Sequence, residues 1–276
     1  MSIGDAEIKT EERVIRFFKD PERLGYQYIG NLSDYQNKNI KEDRLRQYLR
    51  LKGYADKLID AAVMQLQQEA GNLSRGLYDA NKTVYSRLKY GIPVSESPEK
   101  PPVTVQLIDE ENPLNNDFAI AEEVTVVEQQ EKRPDLVIYL NGIAVAVIEL
   151  KRSSISVSEG IRQNLTNQKD TFIWGFFTTM QFCMAGNESE GLRYGTLLTG
   201  EKFYMEWKDD GFKEHEEERD PVDVRISKAC EGIENKLLKQ IYAMFDKKRF
   251  IDLIMNFVVF DKVNKKVCRY NQYFGI

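Results

Sequence analysis

A single histidine among 276 residues, His215 in a run of charges, all but excludes imidazole metal sites and Ser-His catalysis. Carboxylates and lysines must carry any chemistry. The three cysteines, Cys183, Cys230 and Cys268, are far apart and odd in number. They form neither a disulfide framework nor a thiolate zinc site, and they fit a reducing cytoplasm. No apolar run reaches the roughly 18 residues that span a bilayer, so no membrane segment is expected. The first residues, MSIGDAEIKTEERV, are polar and acidic, unlike a secretory or transit peptide. GxxxxGK[ST] is missing, so no P-loop cradles ATP phosphates. There is no basic excess either. The net charge is −5, whereas modules that grip nucleic acid are usually basic, so any such grip must be local or shared.

What remains is an ordinary globular composition, 42% hydrophobic and 30% charged, long enough for one large or two modest domains. Residues 8–19 place Val14, Phe17 and Phe18 on one helical face, behind an acidic start. GYQYIGN (25–31) reads as a short strand or loop. Helical spacing runs from Glu42 to about Asn72 through Leu45, Leu49, Leu58, Ile59, Ala62, Met64 and Leu66. Gly53 splits that stretch, and Gly71-Asn72 ends it. A further helix covers 79–89. Residues 91–102 hold four of the eight prolines and read as a loop.

From 103 the period shortens. VTVQLID (103–109) and a long DFAIAEEVTVVEQ (117–129) read as strands. PDLVIYL (134–140) and IAVAVIEL (143–150) flank Asn141-Gly142, a strong hairpin signal. IAVAVIEL is apolar on both faces and should lie centrally in a sheet. Residues 156–170 predict a helix capped by Ser156 or Ser158. A strand at 178–186 and a hairpin within 194–207 follow. Then come an exposed charged loop (209–220), helix over roughly 231–255, and short strands in NFVVFD and KVCRYNQYF. The expected fold is α+β (α/β), a mixed sheet flanked by helices. Three segments are expected: 1–100, largely helical, whose helix 8–19 belongs either there or to the core; a core at 101–210; and a helical 221–276.

The informative stretch is RPDLVIYLNGIAVAVIELKR (133–152). Alternation puts Glu149 and Lys151 on one face of their strand. Counted from the turn, Asp135 is six residues back and Glu149 seven forward, level within about a residue. Two carboxylates and an ammonium thus converge at one end of an apolar hairpin. Phosphodiester hydrolysis with a hard cation needs this set: carboxylates for Mg²⁺ and a lysine for water and developing charge. A strand ending in Glu-x-Lys is also common, and a plain surface ion pair contributes ~0–1 kcal/mol. The convergence of all three charges is what favours chemistry.

Asp135, Glu149 and Lys151 match the PD-(D/E)xK nuclease motif. NDFAIAEEV, the 133–152 stretch and EGIRQNLTNQ together resemble the R subunit of type I restriction enzymes, as do LYDANKTVYSRLKYGIPV (77–94) and the closing NFVVFD and RYNQYF. The resemblance implies a restriction-endonuclease-like core acting as a type I site-specific deoxyribonuclease on double-stranded DNA. It implies Mg²⁺, with Mn²⁺ as a substitute, held by Asp135, Glu149 and the Leu150 carbonyl, with Lys151 as the catalytic lysine. The family's QxxxY motif places its glutamine at Gln163, but its tyrosine position is Asn167. An acidic residue on the first helix completes many such sites; Glu12 is the candidate and Glu11 the runner-up. Glu123, where the family often has glutamine, reads as a solvated carboxylate. The resemblance also implies modification (M) and specificity (S) subunits as partners. It places ATP only in helicase-like motor domains absent from this chain, which ends about where the motor would begin. Gln272 then corresponds to an adenine-contacting glutamine of that motor. Two other functions stay open: a silent DNA- or subunit-docking module, and a recombination or repair nuclease sharing the motif. Arg133, Lys151, Arg152, Arg162 and Lys169 could contact phosphates or be exposed charges. Phe172, Trp174, Phe176 and Phe177 read as core packing rather than base-stacking groups.

Overall fold

The computed structural model of the chain describes residues 3–97, 99–209 and 220–275. Its centre is a six-stranded sheet whose spatial order follows chain order: β1 (Gln27–Asn31), β2 (Phe118–Glu122), β3 (Leu136–Leu140), β4 (Ile143–Leu150), β5 (Phe182–Asn187) and β6 (Gly191–Gly195). β1 pairs with β2 and β4 with β5 in parallel, and the other neighbours are antiparallel. This is the mixed sheet of an α+β fold, consistent with a restriction-endonuclease-like core. All eight residues of β4 are buried, as expected of a strand covered on both faces.

Alternation sorts the two faces. Ile120, Ile138, Ile148 and Met184 pack with helix α1 (Ile3–Lys19) through Val14 and Phe18. Val137, Tyr139, Val147 and Cys183 pack with the 174–179 turn through Phe176 and Phe177. Those two phenylalanines are core residues, as the sequence indicated. The helical run from Glu42 is split as predicted into α2 (Glu42–Leu51) and α3 (Asp56–Gly71), with Gly53 at φ +83° between them. Met64 points outward, 56% exposed, because only the stripe of Ile59, Ala62, Val63 and Leu66 meets the core. α4 (Leu77–Tyr90) follows, and α5 (Val157–Asn167) starts at Ser156, whose side chain accepts from the Ser158 amide.

At the hairpin, Asn141 (φ +52°) and Gly142 (φ +82°) both take left-handed backbone, as a tight primed turn requires. A β-carbon on Gly142 would lie 2.6 Å from the Lys41 carbonyl and 2.7 Å from the Leu45 amide nitrogen, so the start of α2 can sit directly on the turn. The register breaks once, between Ile138↔Ala146 and Tyr139↔Ala144. That bulge at Val145 absorbs the extra residue on the β4 side and brings Asp135 level with Glu149.

Several expected elements differ. The long strand over 117–129 stops at Glu122, because Glu123 turns to φ +50° and leaves the sheet; Val126–Val127 then pairs with Glu131–Lys132 in a small ribbon. Ile92–Val94, read as loop, pairs with Val103–Val105. The strand expected from 178 begins at 182, after the 3-10 turn Trp174–Thr179. Within 194–207 only a Tyr194–Met205 bridge forms.

Of the charged stretch 209–220, only the ends are described. Asp209 is buried rather than exposed, because it meets the fully buried Arg249 at 2.8 Å. α6 (Pro221–Glu231), α7 (Lys236–Phe245) and α8 (Lys247–Asn256) lead into a ribbon, Val258–Asp261 with Asn264–Val267. Residues 270–273 form a helical turn rather than a strand. Phe18, Ile148 and Phe250 belong to one continuous core. Among the described residues no helix is long and apolar enough to cross a membrane.

Candidate active site

β3 and β4 bring Asp135, Glu149 and Lys151 together at the end of the hairpin remote from its turn. Leu136 pairs with Ile148, so Asp135 stands opposite Glu149 one step further. The Leu150 amide donates to Asp135 Oδ2 at 2.7 Å, fixing that carboxylate across the strand end. Lys151 Nζ lies 3.7 Å from the same oxygen and donates to the Leu150 carbonyl at 2.8 Å. Glu149 is fully buried; no donor reaches either of its oxygens, and the side chain at hydrogen-bonding range is the Asp135 carboxyl, with which it pairs only when one of the two is protonated. A buried carboxylate without partners is strongly disfavoured as an anion. Burial and then the Asp135 charge push the Glu149 carboxyl well above its ordinary value, and Lys151 opposes this only in part. Burial likewise raises Asp135 to about 6, against the pull of Lys151 and the Leu150 amide. For Lys151 burial works downward, but Asp135, Glu149 and Glu7 outweigh it and hold the ammonium above its usual value.

The acidic contribution of α1 comes from Glu11 and Glu7, and Glu12 does not join the site. Glu12 is exposed, because the buried stripe of α1 passes through Val14 and Phe18 and, stepped back by helical spacing, through positions 11 and 7. Glu11 is raised to about 8 by burial, then by the charges of Asp135, Glu123, Glu122 and Glu7, and its Oε1 has no partner. Glu7 accepts from Lys151 Nζ at 3.3 Å. The stripe 7-11-14-18 was the signal in the sequence: two glutamates continuing an apolar face toward the helix start. Glu123 is not simply solvated. Its amide donates to the Asp135 carbonyl at 2.8 Å, and its carboxylate pairs with Arg133.

A groove of about 440 Å³ opens beside the site, lined by Lys132, Arg133, Lys151, Arg162, Gln163 and Asn167 among others. Gln163 and Asn167 thus share one wall. Arg162 is held by Glu159 and Glu201, so its charge is largely neutralised in place. Arg152 and Lys169 are not in the lining. A larger hollow of about 520 Å³ lies near the hairpin turn, beside Asn37, Asn39 and Glu128. Both carboxylates that line it are already taken up, Glu128 by the Gly175 amide at 2.9 Å and Glu42 by Arg46 and Gln67, so the smaller groove is the one joined to chemistry.

Two carboxylates and one carbonyl at a strand end suit a hard cation that keeps several waters. The Glu149 oxygens that no donor reaches, and three carboxylates (Glu7, Asp135, Glu149) acting on one ammonium, fit a group of positive charge. As they stand, no three His, Cys, Asp or Glu side chains among the described residues are grouped closely enough to hold one ion by themselves.

Residues 6–203 match the family described as Type I restriction enzyme R protein N terminus. The chain is 26% identical over 216 residues to the "Putative type I restriction enzyme MjaIXP endonuclease subunit" of Methanocaldococcus jannaschii, covering 71% of this chain and 19% of that protein. It is 25% identical over 207 residues to the "Type I restriction enzyme HindI endonuclease subunit" of Haemophilus influenzae, covering 71% of this chain and 18% of that protein. The chain therefore spans under a fifth of the length of these curated relatives. Because the matched residues make up well over half of it, the chain belongs to the family of type I restriction enzyme R protein N-terminal regions.

Proposed function

We propose that this chain is the Mg²⁺-dependent nuclease region of a type I restriction R subunit, hydrolysing phosphodiesters of double-stranded DNA. The observation that carries the reading is the meeting of Asp135, Glu149 and Lys151 at one end of β3–β4, across the Leu150 amide and carbonyl. Asp135 and Glu149 would hold the cation, Mg²⁺ or Mn²⁺, with the Leu150 carbonyl as a third protein donor. When bound, such an ion makes water a stronger acid and offsets charge at phosphorus. Lys151 would hydrogen-bond the attacking water and the phosphate oxygens. Gln163 borders the groove in which the strand would lie, and Glu11, with Glu12 exposed, takes the supporting acidic role. Assembly with M and S subunits, and cutting after ATP-driven translocation by motor domains elsewhere in the enzyme, are part of the same proposal.

The test is Lys151→Ala in the assembled enzyme. Cleavage should fall by at least about 100-fold, as when a positioned donor to developing charge is removed. Assembly and ATP hydrolysis should be unchanged. Cleavage close to the unmodified rate would sink the reading and leave a docking module, which the acidic net charge of −5 favours as the second reading.

A further inference from the structure

The Lys151 ammonium rests on groups that the proposed chemistry assigns to the cation. Of its three N–H donors, one reaches the Leu150 carbonyl at 2.8 Å. A second reaches Glu7 Oε1 at 3.3 Å. Asp135 Oδ2 lies 3.7 Å away, near enough to act through its charge but beyond a hydrogen bond. Both the Leu150 carbonyl and Asp135 go to the cation in the reading above. An ammonium beside a divalent ion on that carbonyl is repelled, since like charges at such range oppose each other strongly. Glu7 is then the partner that Lys151 keeps.

Glu7 is also held independently of the strand end. It lies on α1, one turn before Glu11, and Val14 and Phe18 of that helix are buried in one core with Ile148 of β4. Arg13 of the same helix pairs with Glu188, in the turn between β5 and β6. A docked helix, rather than a loop, therefore presents the carboxylate. The Glu7 side chain keeps 37% of its surface exposed and that of Lys151 only 15%, so the two meet at the edge of the site. Such a hold matters for a lysine. Its ammonium sits on a long flexible stem, and without an anchor the charge is spread over many rotamers.

We infer that Glu7 is a positioning residue for Lys151, its carboxylate holding the ammonium at the site once a cation occupies the Leu150 carbonyl. The inference rests on the metal-dependent reading above. It separates the two glutamates of α1: Glu7 is paired with Lys151, whereas Glu11 keeps one oxygen without a partner.

The experiment compares Glu7→Ala, Lys151→Ala and the double variant in the assembled enzyme. Mn²⁺ titrations and melting curves of the chain accompany it, with Asp135→Asn as the reference for a lost ligand. Glu7→Ala should lower kcat about tenfold with little change in KM, the effect usual when a group that orients a site residue is removed. In the Lys151→Ala background it should cost nothing further, because a residue acting through Lys151 has no effect without it. With Mn²⁺ bound, labelling of Lys151 by acetic anhydride, read by peptide mass spectrometry, should be several-fold faster in Glu7→Ala than in the parent. Mn²⁺ affinity should fall far less than in Asp135→Asn.

Full cleavage by Glu7→Ala beside a crippled Lys151→Ala overturns the inference and leaves the nuclease reading standing. So does the same loss from Glu7→Ala in both backgrounds, or Mn²⁺ binding weakened as much as in Asp135→Asn, which would make Glu7 a ligand. Parent-rate cleavage by Lys151→Ala, or unweakened Mn²⁺ binding in Asp135→Asn, overturns the reading itself, and this inference with it. If Glu7→Ala melts far below the parent, Glu7→Gln, which keeps the shape of the side chain and removes its charge, is judged by the same outcomes.

Discussion

The β3–β4 hairpin has two ends built on opposite terms. At the turn, every polar atom of Asn141 is used: its amide donates to the Leu107 carbonyl and to Asn116 Oδ1, both at 2.8 Å, and its Oδ1 accepts from the Asp117 amide at 2.7 Å. At the other end no donor reaches either oxygen of Glu149, and Glu11 leaves one oxygen buried without one. Buried polar groups in folded proteins are nearly always satisfied. The same two strands obey that rule at one end and break it at the other. The turn end serves stability, and the far end is held ready for a group from outside.

The largest effect should come from breaking the satisfied end. Gly142→Ala forces a side chain onto left-handed backbone and into the α2 main chain at 2.6 Å. Equilibrium urea unfolding should show a loss of about 3 kcal/mol or more; a loss under about 1 kcal/mol would mean that α2 is free to move off the turn. The reverse is expected at the other end. Glu149→Gln removes a carboxyl whose charged form burial disfavours, and should stabilise the chain by about 1–2 kcal/mol. Destabilisation there would show that Glu149 has partners in solution.

A third effect is in the pH dependence. Glu11 and Asp135 titrate near 8 and 6 in the fold, above their unfolded values. The folded chain therefore binds these protons more tightly than the unfolded one, and stability falls as pH rises. The loss starts near the unfolded values of roughly 4 and is complete near pH 6 for Asp135 and pH 8 for Glu11. Carboxylates held low by cations, such as Glu69 beside Arg87, act only below that window. Melting temperature should thus decline between pH 5 and 8, and Glu11→Gln should flatten the upper half. A melting temperature that is flat over this range in the parent chain would remove the distinction between the two ends.

Much of the hairpin was legible because its information is local. Asn141-Gly142 fixed the turn, alternation placed Glu149 with Lys151, and the count to Asp135 was right within the one residue that the Val145 bulge absorbs. Ser156 was readable as a cap for the same reason. What the sequence hid was set by distant contacts. Glu11 and Glu12 look alike at the helix start, and only the stripe from Phe18 and Val14 back to Glu7 separates them. β1 was ambiguous because its partner, β2, lies about ninety residues on.

The reach of α1 also bears on the order in which the chain folds. The Lys151–Glu7 contact joins residues 144 apart, and Arg13–Glu188 joins residues 175 apart. Contacts of such separation close large loops and form late. During synthesis α1 leaves the ribosome before the sheet and can meet Tyr26 early, but its glutamates have no site to join until β3 and β4 exist. A growing chain therefore carries the hairpin before the two glutamates reach it, and the acidic set is completed only once the whole sheet has assembled.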